Sequence, residues 1–225
     1  MRTVVFDLDG TLADTSGDLL AAANVCFERL GIAARLDPAL DAGVALRGGR
    51  AMLSLGLERE FGHADQSIVD GQYKPFLGVY EAELDVRTQM YGGAMDAVER
   101  LKSDGYAVAV CTNKPEYLAE KLLRSLGVRD AFGSLIGADT LPVRKPDPEP
   151  YFESIRRAGG DPARGCLVGD TITDHSTARA AGAPSILVTF GPGQGAGQAD
   201  VRALEPDALL HRFEDLPEIV ANLLP

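Results

Sequence analysis

Short apolar, β-branched runs recur along the chain, each stopped by polar or glycine residues. Thr3-Val4-Val5-Phe6 is the first, and Asp7-Leu8-Asp9-Gly10 ends it. Similar runs follow at 106–111, 134–136, 166–168 and 184–190. Their length and continuity suit strands buried on both faces. Between them the apolar positions shift to helical spacing. Leu118, Leu122, Leu123 and Leu126 share a face, with Pro115 at the first helical position and Gly127 as the stop. Tyr151, Phe152, Ile155 and Ala158 repeat the pattern up to Gly159-Gly160. Strand alternating with helix in this way predicts an α/β fold, a doubly wound parallel sheet with helices on both faces.

The stretch 15–85 breaks that rhythm and contains no clear strand. Leu19, Leu20, Ala23, Phe27 and Leu30 mark a helix closed by Gly31, and further helices are predicted over 51–61 and 64–81. The chain therefore divides into a core of residues 1–14 and 86–225 and an inserted helical domain of residues 15–85. The connecting hinges are expected at 13–16 and 86–91, with Gly92-Gly93 ending the second. The glycine-rich stretch 191–197, with Pro192 inside it, lacks the GK[ST] ending of a phosphate loop and no strong helix follows, so a mobile loop is expected. A last short helix is predicted over 213–224.

Composition narrows the function. The chain has 225 residues, 45% hydrophobic and 24% charged, which is enough to bury a core without staples. Lys and Arg number 22 against 33 Asp and Glu, a net charge of -11 that repels nucleic acid and anionic lipid. The inserted stretch is no basic module either, with 6 Lys and Arg against 11 Asp and Glu over residues 15–85. A small anionic substrate remains open only if cations are gathered locally. Cys26, Cys111 and Cys166 are far apart, odd in number and form no CxxC pair, so reduced buried thiols are expected. No basic segment with an apolar run behind it follows Met1, and no apolar stretch reaches membrane length. The cytoplasm is the expected location.

In doubly wound sheets ligands gather at the carboxyl ends of the strands. Four such ends carry chemistry here: Asp7 and Asp9, then Thr112 and Asn113, then Lys145, then Asp170 with Asp174 four residues on. Each is weak alone. D-x-D-G reads equally as an Asx-turn, and Asp174 as ordinary acid at a helix start. Together, four carboxylates at one sheet edge require a counter-charge. Mg²⁺ suits them, since it prefers oxygen ligands and leaves room for a substrate phosphate. Lys145 adds a fixed cation, and Thr112 a hydroxyl and nearby N–H groups for phosphate oxygens.

With Asp7-Leu8-Asp9-Gly10-Thr11, Thr112-Asn113, Lys145-Pro146 and Gly169-Asp170-Thr171-Ile172-Thr173-Asp174 in that order, the chain resembles the haloacid dehalogenase (HAD) superfamily. Within it the chain looks most like the phosphoglycolate phosphatase-like group. The resemblance implies a Rossmann-like core with an α-helical cap. It further implies Mg²⁺-dependent hydrolysis of a small phosphorylated metabolite, best represented by 2-phosphoglycolate. Asp7 would be the nucleophile, forming an aspartyl-phosphate, and Asp9 the general acid and base. Mg²⁺ would be held by Asp7, the Asp9 carbonyl and Asp170, with Asp174 as a further ligand or water-orienting group. Thr112, Asn113 and Lys145 would hold the phosphoryl group, and Lys145 would restrain Asp7. Thr171 stands where this group often has serine, which keeps the hydroxyl. His175, next to Asp174, is expected to be structural or solvated.

In capped relatives the loop corresponding to Arg47-Gly48-Gly49-Arg50 reads the leaving group. Either Arg47 or Arg50 could grip a carboxylate in bidentate fashion, with Arg47 favoured as the inward one. A solvated helix entry is the alternative. A phosphomutase of the same superfamily and a non-catalytic phosphometabolite-binding protein are the competing functions. A dehalogenase needs neither Mg²⁺ nor Asp9, and a phosphonate-cleaving enzyme would want a Schiff-base lysine where Lys74 is the only candidate. A small phosphorylated metabolite is the expected partner, with no nucleic acid and no membrane, and the chain is expected as a monomer or homodimer.

Overall fold

The computed structural model describes residues 1–191 and 200–225. Strand β1 (Thr3–Phe6) and the two-residue β2 (Ala13–Asp14) lead into four helices, α1 (Ser16–Arg29), α2 (Pro38–Ala45), α3 (Gly49–Phe61) and α4 (Gln66–Ala82). The chain returns through β3 (Gln89–Met90) and α5 (Ala94–Ser103). It then alternates through β4 (Ala107–Cys111), α6 (Glu116–Ser125), β5 (Ser134–Ile136), α7 (Glu149–Arg157), β6 (Gly165–Gly169), α8 (Ile172–Ala181) and β7 (Ser185–Val188). Strand β8 (Ala208–Leu210) and α9 (Leu216–Leu223) complete it.

Six strands form one sheet in the order β5-β4-β1-β6-β7-β8, parallel at every pairing. β1 lies at its centre, with Phe6 level with Val110 on one side and Val168 on the other. Every residue of β1, β4 and β6 is buried. Helices cover both faces, so both rows of alternating side chains must be apolar, and the sequence shows unbroken apolar runs. Val4, Phe6, Val108 and Val110 join Val98, Leu101, Leu118 and Leu122 from α5 and α6 on one face. Val5, Ala109 and Leu167 meet Tyr151, Ile155 and Ala178 from α7 and α8 on the other.

The expected doubly wound sheet is therefore present. Pro115 precedes α6 instead of opening it, because its φ of -52° and ψ of 137° are extended. Residues 213–215 form a 3-10 turn and α9 begins only at Leu216. Helix α2 has no counterpart in the apolar periodicity. It has eight residues, starts with Pro38 and is capped by Asp37, whose carboxylate accepts from the Ala39 N–H at 2.7 Å. The loop expected over 191–197 lies outside the described residues apart from Gly191. No helix among the described residues is long and apolar enough to cross a membrane.

The helices α1–α4 pack together around Phe27, Met52, Leu53, Leu57, Val69 and Phe76. The two chain segments joining them to the sheet are tied side by side. β2 pairs antiparallel with β3, Ala13 opposite Met90 and Asp14 opposite Gln89. Buried Asp18, in the first turn of α1, accepts from the Arg87 N–H at 3.0 Å, the Thr88 N–H at 2.9 Å and the Thr88 hydroxyl at 2.8 Å.

Candidate active site

Asp7, Thr112 and Asp170 are each the first residue beyond a strand, β1, β4 and β6 respectively. Those strands are neighbours, and the connections diverge to either side of β1. This is the switch point where a doubly wound sheet opens a crevice. Parallel register brings the three strand ends level, so residues more than 160 positions apart in sequence meet; the Asp7 N–H donates to the Val168 carbonyl at 2.9 Å.

Asp7, Asp170 and Asp174 each present an oxygen within 4.8 Å of the others. One oxygen of Asp170, Oδ1, accepts from the Thr11 hydroxyl at 3.1 Å; the other, Oδ2, is buried without a hydrogen-bond partner among the described residues. Gly10, at φ +80°, turns the chain beside it, and a Cβ there would press on Asp170 Oδ2. Asp174 has both oxygens engaged. Its Oδ2 accepts from the Thr171 N–H at 3.1 Å and the Thr171 hydroxyl at 2.7 Å, in a capping box that opens α8. Gly169 is needed there, since a Cβ would overlap the Asp174 side chain.

Lys145 lies among these carboxylates. Its Nζ donates to Asp174 Oδ1 at 2.6 Å and lies 3.1 Å from Asp7 Oδ1. Burial opposes its charge, yet Asp174 and Asp7 outweigh that and hold the ammonium above the ordinary lysine range. Asp7 is pushed up to about 6 by burial, against the pull of Lys145 and with the repulsion of Asp174 and Asp9. Asp170 is raised well above the usual carboxylate range by burial and then by Asp174 and Asp7. Three buried carboxylates thus face one ammonium. An all-oxygen donor set, excess negative charge and an unpartnered buried oxygen fit a hard divalent cation.

Thr112 and Asn113 shape the turn after β4. The Thr112 hydroxyl accepts from the Lys114 N–H at 3.2 Å, and the Asn113 amide donates to the Lys145 carbonyl at 3.0 Å. Asp9 stands apart from the carboxylate cluster. Its Oδ1 accepts from Lys114 Nζ at 2.9 Å, and the same Nζ donates to the Tyr80 hydroxyl of α4 at 2.6 Å. Burial opposes the Lys114 charge, but Asp9 and Tyr80 hold it above the ordinary lysine range; burial pushes the Tyr80 phenol up to about 12. Sequence reasoning missed both Lys114 and Tyr80. Lys114 directly follows Thr112-Asn113, which was a usable signal, whereas Tyr80 reads as one more apolar position of α4.

From the helical unit, Leu46 lies close over Gly10. Arg47 is exposed, and its side chain makes no hydrogen bond or ion pair among the described residues. Arg50 pairs with Asp70, and its guanidinium lies 4.4 Å from the centroid of the Tyr73 ring, at the surface. His175 turns away from the carboxylates, its Nδ1 lying 2.9 Å from the Ser185 hydroxyl.

The haloacid dehalogenase-like hydrolase family matches residues 1–182. A phosphoglycolate phosphatase of Mesorhizobium japonicum is 37% identical over 221 residues, covering 98% of this chain and 95% of that protein. A phosphoglycolate phosphatase of Agrobacterium fabrum is 36% identical over 214 residues, covering 94% and 89%. The crystal structure of a predicted phosphoglycolate phosphatase from Haemophilus somnus superposes with a TM-score of 0.84 at 24% identity over 97% of both chains, a likeness of fold. With the four motifs in their expected order and the strand ends brought together, the chain belongs to the haloacid dehalogenase-like hydrolases.

Proposed function

We propose that this protein is a Mg²⁺-dependent phosphatase of a small phosphorylated 2-hydroxy acid, with 2-phosphoglycolate as its substrate and an aspartyl-phosphate at Asp7 as its intermediate. The observation that carries the reading is the meeting of Asp7, Asp170 and Asp174 around the unpartnered Asp170 Oδ2, with Lys145 beside them. The full-length likeness to phosphoglycolate phosphatases supports the choice of substrate. Residues 15–85 act as the cap, closing over the site through Leu46 and α4. Three buried free thiols suit a reducing cytoplasm.

Asp7 and Asp170 would hold the cation, with the Asp9 carbonyl, while Asp174 orients what binds beside them. The bound cation supplies charge neutralisation for the transferring phosphoryl group. Asp7 Oδ1 accepts from the Leu8 N–H at 2.7 Å and lies 3.1 Å from Lys145 Nζ, contacts that fix the carboxylate, and a carboxylate oxygen of Asp7 is the nucleophile. It forms a bond to phosphorus in line as the bond to the leaving alkoxide breaks, and Asp9 delivers a proton to that oxygen. Asp9 then takes a proton from water, which attacks phosphorus and releases phosphate and the Asp7 carboxylate. Lys145 and the Asn113 N–H neutralise phosphoryl oxygens throughout, since the Lys114 N–H is taken by the Thr112 hydroxyl.

A panel of phosphorylated metabolites, assayed with and without Mg²⁺, tests the reading with Asp7→Asn as blank. Turnover to free phosphate is expected with the wild type and Mg²⁺ alone, highest for 2-phosphoglycolate. A rearranged sugar phosphate would identify a mutase, and saturable binding without turnover a binding protein.

A further inference from the structure

Asp9 is the partly exposed member of its ion pair, at 18% side-chain exposure against 3% for Lys114. Among the described residues Lys114 is the group that bonds the Asp9 carboxylate. Lys114 is itself held at three points. Its N–H reaches the Thr112 hydroxyl at 3.2 Å, its carbonyl accepts from the Ala138 N–H at 2.9 Å, and its Nζ meets the Tyr80 hydroxyl at 2.6 Å. The ammonium also lies 4.4 Å from the centroid of the Tyr80 ring. A side chain that ordinarily samples many rotamers is thereby fixed as a strut from the end of β4 to Asp9 and on to α4.

From this geometry we infer that Lys114 is a positioning residue for Asp9, and that the Tyr80 hydroxyl makes that placement depend on the seating of α4. The inference rests on Asp9 acting as acid and base in the proposed phosphatase. Proton delivery requires the carboxyl oxygen within about 2.6–3.2 Å of the leaving oxygen. With Oδ1 taken by Lys114, Oδ2 is the oxygen left to exchange the proton. Lys114 sets where that oxygen points, and Tyr80 removes the freedom of Lys114 when the helical unit packs against the sheet.

The test is the dependence of kcat/KM on leaving group, because kcat/KM covers the steps up to departure of the alcohol. Alkyl phosphates need the acid and p-nitrophenyl phosphate needs it little. Lys114→Met is expected to lower kcat/KM about 100-fold for alkyl phosphates and less than about 3-fold for p-nitrophenyl phosphate. Tyr80→Phe keeps the ring and its packing, so the fold is retained, and is expected to cost about 5-fold on alkyl phosphates alone. The double variant is expected within about 2-fold of Lys114→Met, since both act through one contact. Asp9→Asn is the reference and should show the same leaving-group dependence. If it does while Lys114→Met and Tyr80→Phe lower both ester classes equally, the inference falls and the phosphatase reading stands. If Asp9→Asn itself loses kcat/KM equally for both classes, the reading of Asp9 as the acid falls.

Discussion

Two buried lysines flank the site, and their surroundings differ. Lys145 belongs wholly to the sheet side. Two carboxylates, Asp7 just beyond β1 and Asp174 of α8, neutralise it, and it faces the region where a cation and a phosphoryl group would gather. Lys114 spans the junction, with one carboxylate from the sheet side and a neutral phenol from α4. A charge met by two charges is part of the permanent electrostatics of the core. A charge shared between a carboxylate and a hydroxyl on another unit depends on how the two units sit. The sheet side is thus built to hold charge, and the junction to hold position.

The largest expected effect separates the two. Lys145→Met leaves three buried carboxylates without a counter-charge and should lower stability by about 3–5 kcal/mol, read from urea unfolding without divalent cations. Lys114→Met strands one partly exposed carboxylate and should cost about 1–2 kcal/mol. Equal losses would erase the distinction.

Cation binding should act on the sheet side in a pH-dependent way. Asp7 is raised by burial from the ordinary 3.8 to about 6. Between those values the folded state binds more protons than the unfolded one, so cation-free stability falls as pH rises through the window. Above it the full cost of ionised, buried Asp7 is present, and a bound cation offsets it. Mg²⁺ held at one concentration, about 100 times its Kd at pH 8, is expected to raise Tm by about 5–10 °C at pH 8 and by much less at pH 5, where protonated Asp7 weakens binding. A shift as large at pH 5 would remove Asp7 from the cation site.

At the junction, Asp18→Ala strands the N–H groups of Arg87 and Thr88 and should cost about 1–3 kcal/mol. It should also speed proteolysis at 86–91 under native conditions. Unchanged cleavage would show that the β2–β3 pairing alone ties the two segments. The smallest effects belong to the stretch 47–50, which runs from the connection after α2 into the first turn of α3. Arg47→Ala should raise KM a few-fold for a carboxylated substrate and leave p-nitrophenyl phosphate unchanged, as expected of a single arginine–carboxylate contact. Arg50→Ala, which breaks a surface pair with Asp70, should change stability by less than about 0.5 kcal/mol and KM for neither substrate. Equal KM effects of the two variants would mean that the site does not discriminate between Arg47 and Arg50.

Much of the site was legible because its residues sit where strands stop. A buried parallel strand must be apolar to its last paired residue, so Asp7, Thr112 and Asp170 stand out as the first polar side chains after Phe6, Cys111 and Gly169. Their convergence follows from parallel strands lying adjacent. Helix α2 and the pairs β2–β3 were hidden because two to eight residues carry too little periodicity to register. Arg50 stands out as a cation in an acidic chain, but the structure places it in the first turn of α3 rather than in a loop, and its charge does not reveal its partner, Asp70 of α4.

The amino-acid pattern by itself determined the alternation of buried strands and helices, the helical insertion and the polar residues that end the strands, because burial on both faces and the stop of an apolar run are local, periodic demands. Only the tertiary structure decided which cation serves which carboxylate. Lys145 and Lys114 are chemically alike in the sequence, and their division of labour arises from packing. One is sealed among core acids, and the other is caught between Asp9 and a tyrosine that arrives from a different part of the chain.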